Sequence, residues 1–122
     1  MRALLLAALL VLPLNASAEY MDAIEVTINE DCTVAEYVAI KNDFNEQWGK
    51  ANGYLAEVAT PIQGPNLTAV YWVGRAANAA AFGKAWDTWR DALADPKSTA
   101  SKLNARLTKC STNSNRSGFD LQ

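Results

Sequence analysis

The order in which hydrophobic periodicity changes along the chain constrains its fold more than any other feature. Over residues 20–29 the chain alternates, with Tyr20, Asp22, Ile24, Val26 and Ile28 on one face and Met21, Ala23, Glu25 and Thr27 on the other. This predicts a strand with one apolar side. Thr33 and Glu36 then form a capping box, and Val34, Tyr37, Ile40, Phe44 and Trp48 recur at steps of three and four, predicting an amphipathic helix. Asn52-Gly53 supplies the left-handed residue that ends it. Alternation returns over 54–60, where Pro61 closes the strand, and again over 67–74, with the turn residues Gln63-Gly64-Pro65-Asn66 between the two. Phe82, Trp86, Trp89 and Leu93 mark the core stripe of a second helix within 76–94. Asp95-Pro96 opens a further helix carrying Leu103 and Leu107, and 110–122 forms a weak, polar strand anchored by Phe119 and Leu121.

Strand, helix, strand, strand, helix pair, strand is the βαββαβ order of the ferredoxin-like fold. In this α+β fold, helices cover one face of a four-stranded antiparallel sheet. Its first and last strands are antiparallel neighbours, which brings Cys32, after the first, close to Cys110, before the last. These are the only two cysteines. A disulfide is expected, because they lack C-x-x-C spacing and a third soft ligand for a metal.

The chain contains no histidine. It therefore cannot build the commonest metal or haem sites or a His-based catalytic pair, and no metal or cofactor is expected. A net charge of −2 and the lack of a Gly-rich phosphate loop argue against nucleic acid and nucleotides. Arg2, an apolar run over 3–14 and Ala16-Ser17-Ala18 read as a secretory signal peptide, residues 1–18. The run is too short to span a bilayer. The expectation is an exported, periplasmic or secreted domain over residues 19–122, with no membrane span. Acidic residues concentrate before residue 65 and basic residues after it, as in neighbouring helix faces that attract one another.

The helix ending in Trp48, the Tyr71-Trp72-Val73-Gly74 strand, the Ala79-Ala80-Ala81-Phe82-Gly83 helix start followed by Trp86 and Trp89, and Cys110 with Phe119 downstream carry a resemblance. The chain resembles small exported bacterial proteins of the dimeric α+β-barrel superfamily. That resemblance implies two four-stranded sheets paired in a homodimer, with a pocket between helices and sheet or inside the barrel. The superfamily includes cofactor-independent monooxygenases, haem-degrading enzymes and stress-responsive proteins. The missing histidine departs from the haem-degrading branch, and Asn66, Tyr71, Trp72 and Arg75 are only loosely comparable with the monooxygenase groups.

Strand parity places Glu25, Glu57 and Trp72 together on the face away from the helices, where paired carboxylates can divide into acid and base. Glutamates on an open sheet face are also ordinary, and no catalytic set is assigned. The same parity exposes Leu55, Val70 and Trp72 as an apolar patch, which a two-fold dimer would cover. Rings on the inward stripes of helices are core by default. Gly83 among large rings nevertheless leaves either a close approach or a gap for a guest. The expected ligand, a small apolar or aromatic molecule, would lie among Trp48, Tyr71, Trp72, Phe82, Gly83 and Trp86, with Arg75 available to a carboxylate. Two classes of function stay open, non-catalytic ligand binding or protein interaction, and cofactor-independent oxygenation of an aromatic compound.

Overall fold

The computed structural model describes residues 18–122, so the expected leader lies outside the described residues apart from Ala18. Strand β1 spans Glu19–Ile28, and helix α1, Val34–Phe44, starts at the expected capping box. There Glu36 N donates to Thr33 Oγ1 at 3.2 Å and Thr33 N donates to Glu36 Oε2 at 2.7 Å. The helix continues through a π-helical turn, Asn45–Gly49, into α2, Lys50–Asn52, and stops at Gly53 with φ of 67°.

Strands β2, Leu55–Ala59, and β3, Val70–Ala76, pair antiparallel, followed by helices α3, Ala79–Leu93, and α4, Thr99–Cys110, and by strand β4, Ser111–Leu121. The sheet order is β2-β3-β1-β4. It is a four-stranded antiparallel sheet with the helices packed against one face. As expected, β1 and β4 are antiparallel neighbours. Cys32 and Cys110 are disulfide-bonded with their Cα atoms 5.1 Å apart.

Three expectations are corrected. Residues 67–69 are not strand, and Leu67 lies exposed in the β2–β3 connection, because Asn66 Oδ1 accepts from Thr68 N and Thr68 Oγ1 and holds a turn there. Helix α4 starts at Thr99 rather than at Pro96. Asp95 Oδ1 is occupied by Lys97 N, and Ser98 Oγ caps the helix by accepting from Ser101 N at 3.0 Å. Strand β4 is not weak. It pairs with β1 along its whole length, and its polar sequence reflects exposure rather than poor pairing.

The core lies between sheet and helices and is built largely of rings. Phe44 meets Trp72 edge-to-face at 5.0 Å, and Trp48 meets Trp89 at 4.9 Å and 80°. Asp43 and Arg106 form a 2.8 Å ion pair between α1 and α4, as the uneven charge distribution anticipates. The π-helical turn contributes Asn45, whose side chain lies along edge strand β2. Its Nδ2 donates to Ala56 O at 2.9 Å and its Oδ1 accepts from Ala56 N at 2.8 Å. One side-chain amide thus satisfies both outward-facing backbone groups of Ala56 on the edge of the sheet.

Candidate functional site

The site begins with an aspartate on an apolar stripe. Tyr20, Asp22, Ile24 and Val26 share the helix-facing side of β1, and Asp22 is only 1% exposed. A buried carboxylate must be paired and hydrogen-bonded. Arg116 Nε and Nη2 donate to Asp22 Oδ1 and Oδ2 at 2.9 and 2.7 Å, and Tyr54 Oη donates to Oδ2 at 2.8 Å. Trp72 Nε1 in turn donates to Tyr54 Oη at 3.0 Å. The result is a directed chain from indole through phenol to carboxylate, closed by a guanidinium.

Two glycines make this geometry available. In the sheet register Asp22 lies opposite Gly74 on β3 and Gly118 on β4. A Cβ at Gly74 would overlap the Tyr54 ring, and one at Gly118 would overlap Tyr20. Both tyrosine rings therefore lie across bare backbone beside Asp22. The Tyr20 ring also stacks on Phe82 at 4.4 Å. Burial first, and then the Asp22 carboxylate, push the Tyr54 phenol far above the usual tyrosine range. The hydrogen bond to Asp22 raises the Arg116 guanidinium further above its already high value.

Beside this network lies a cavity of about 460 Å³ between the sheet and helices α1, α3 and α4. About half of its lining residues are aromatic, including all four tryptophans (Trp48, Trp72, Trp86 and Trp89), with Phe44 and Phe82. Asn104, Thr108, Thr112 and Asn113 add neutral polar groups, and Arg116 is the one charged side chain among the lining residues. The Arg116 guanidinium lies 4.3 Å from the Trp86 ring centroid and 5.7 Å from that of Phe82. A β-bulge brings Asn113 and Arg116 to one face. Glu25 pairs with Asn115 whereas Val26 pairs with Asn113, so Ser114 is extra and the alternation resets between Arg116 and Asn113. Trp48 comes from the π-helical turn, a distortion that recurs at functional sites.

Of the expected site residues, the fold brings Trp48, Trp72, Phe82 and Trp86 to the cavity and leaves Tyr71, Arg75 and Gly83 out. Trp72 is corrected from the outer to the inner face. It pairs with Ile24 in the register, is 5% exposed and packs on Phe44. Val70 is buried as well, so of the expected outer patch only Leu55 is exposed. Tyr71 takes the outer face, where its Oη donates to Glu25 Oε2 at 3.2 Å. Arg75 is exposed and pairs with Glu19 at 3.1 Å. Glu57 also lies on the outer face and pairs with Lys41 at 3.5 Å. Gly83 is corrected in one respect: a Cβ there would meet nothing within 4 Å, so the glycine relieves no close approach, and it does not line the cavity. Asn66, in its turn, does not line the cavity.

Sequence reasoning missed Asp22, Tyr54 and Arg116. The signal available was a lone carboxylate on the apolar stripe of the first strand, which demands a buried cation or donors.

Among the described residues no group of three or more His, Cys, Asp or Glu side chains is placed to hold a metal ion. No protein-family model matches the chain, and no curated protein matches it. The fold is similar to the crystal structure of a conserved protein of unknown function from Bacteroides thetaiotaomicron VPI-5482, described as a possible oxidoreductase. That similarity has a TM-score of 0.55 at 9% sequence identity and covers 87% of this chain and 100% of the other. At such identity the likeness is one of fold.

Proposed function

We propose that this protein is an exported binding protein that holds a small apolar or aromatic molecule in the cavity between sheet and helices, without converting it. The observation that carries this reading is the cavity itself: about 460 Å³ with ring walls and one fixed charge, the composition of a small-molecule site. Export is supported by the Cys32–Cys110 disulfide, which persists in oxidising compartments. No helix among the described residues is long and apolar enough to cross a membrane.

The ferredoxin-like topology and the dimeric α+β-barrel assembly belong to the same proposal. The helices leave the other sheet face open, where Leu55 and Phe119 are 47% and 46% exposed beside partly exposed Met21, Val73 and Tyr71. A two-fold partner covering that face would bury these groups.

The second reading is a cofactor-independent oxygenase acting on an aromatic compound, which the ring-lined cavity would suit and the description of the Bacteroides protein prompts. Binding is favoured over it. The Trp72 indole and Tyr54 phenol donate within the site and Asp22 is bound by Tyr54 and Arg116, and Asn66, Tyr71 and Arg75, which that chemistry would call on, do not line the cavity. Thermal-shift screening of residues 19–122 against aromatic metabolites tests the proposal. Concentration-dependent stabilisation without oxygen consumption is expected. Oxygen uptake coupled to loss of the compound would establish the second reading instead.

A further inference from the structure

Arg116 has three guanidinium donor nitrogens and uses two. Nε and Nη2 are committed to Asp22, while Nη1 makes no hydrogen bond among the described residues. The guanidinium carbon lies 4.3 Å from the Trp86 ring centroid, and with both bonds to Asp22 this fixes its position before any ligand arrives. Asp22 is 1% exposed and the Arg116 side chain 37% exposed. The carboxylate therefore lies behind the guanidinium, and the pair, although formally neutral, turns its positive end to the cavity. No Asp or Glu lines that cavity.

From this we infer that the ligand is a planar aromatic carboxylate, its ring among the tryptophans and its carboxylate on Arg116 Nη1. An arginine edge already orientated by a carboxylate and a ring is suited to a second oxyanion, because little side-chain freedom is lost on binding. A cationic ligand would meet the guanidinium without a counter-charge, although ring walls alone would accept one. A neutral aromatic would leave the Nη1 edge facing the apolar ligand unpaired. The inference rests on the cavity being a ligand site, and the test separates the two.

Isothermal titration of residues 19–122 with benzene, indole and naphthalene series, each as carboxylate, primary amide and methylammonium, reads the preference directly. The carboxylate is expected to bind at least about tenfold more tightly than its amide in the ring series that fits best, and the methylammonium more weakly than either. The Asp22→Asn/Arg116→Gln double variant keeps neutral hydrogen-bonding groups at both positions and, folded by circular dichroism, should bind amide and carboxylate alike. Equal affinity of amide and carboxylate for the unaltered protein would overturn the inference and leave the cavity reading standing. So would a tighter methylammonium, or a carboxylate preference that survives in the double variant. Failure of every compound to bind at millimolar concentration would overturn both.

Discussion

Asp22 lies between two glycines, and the space around it, set against the open space at Gly83, carries three single-residue predictions. Gly74→Ala should destabilise the protein by about 1 to 3 kcal/mol in urea unfolding, because its Cβ displaces the Tyr54 ring. Gly83→Ala should stabilise it by about 0.4 to 1 kcal/mol in the same experiment, since its Cβ enters open space in a helix interior. Equal effects at the two glycines would contradict this packing. Tyr54→Phe removes the hydroxyl between Trp72 and Asp22 and should cost about 1 to 3 kcal/mol at pH 7. Its pH dependence has a definite sign. The folded phenol titrates above its unfolded value of about 10, so its contribution is complete below that pH and falls as pH rises beyond it. Unaltered protein should therefore lose more stability between pH 8 and 11 than Tyr54→Phe does. At this scale the sequence was only half legible. The inward stripe of β1 was readable, Asp22 included, yet the position of Trp72 was not. Strand parity leaves open which side of β3 faces the helices, and only pairing with Ile24 decides it.

Strand β4 carries more of the account than its composition suggests. Its residues are almost all exposed and polar, so the alternation that identifies a strand is faint, and the bulge at Ser114 breaks what remains. That is why the Cys110 end of the last strand was legible while the inward direction of Arg116 was not. The capping box at Thr33, the stripe of α1 and the glycine stop at Gly53 were all readable, because each is set by local chemistry. The π-helical turn was not, since its extra residue is stabilised by the distant bonds of Asn45 to Ala56. The disulfide joins positions 78 residues apart, just before α1 and at the α4–β4 junction. Chain entropy assigns it roughly 4 to 5 kcal/mol as an upper figure. Reduction should accordingly lower the urea midpoint well below that of the oxidised protein. Unchanged midpoints under oxidising and reducing conditions would contradict the assignment.

For the whole molecule, helices on one side of the sheet leave two surfaces to explain, the cavity within and the open sheet face outside. A dimer through the outer face should give about twice the monomer mass in light scattering at micromolar concentration, and Phe119→Lys should shift it towards monomer. A monodisperse monomer in the unaltered protein would refute that assembly without touching the cavity. The central claim, that the ring-lined space receives a ligand, is tested most directly by the tryptophan indoles. All four tryptophans line the cavity, so a nitrogen-15 correlation spectrum reports on it through four indole N–H signals. Titration with small aromatic carboxylates should move the indole signals of Trp48, Trp86 and Trp89 saturably, while amides of the outer sheet face, Val73 and Ala23 among them, stay in place. Indole signals that no compound moves at millimolar concentration, or saturable shifts confined to the outer face, would contradict the account.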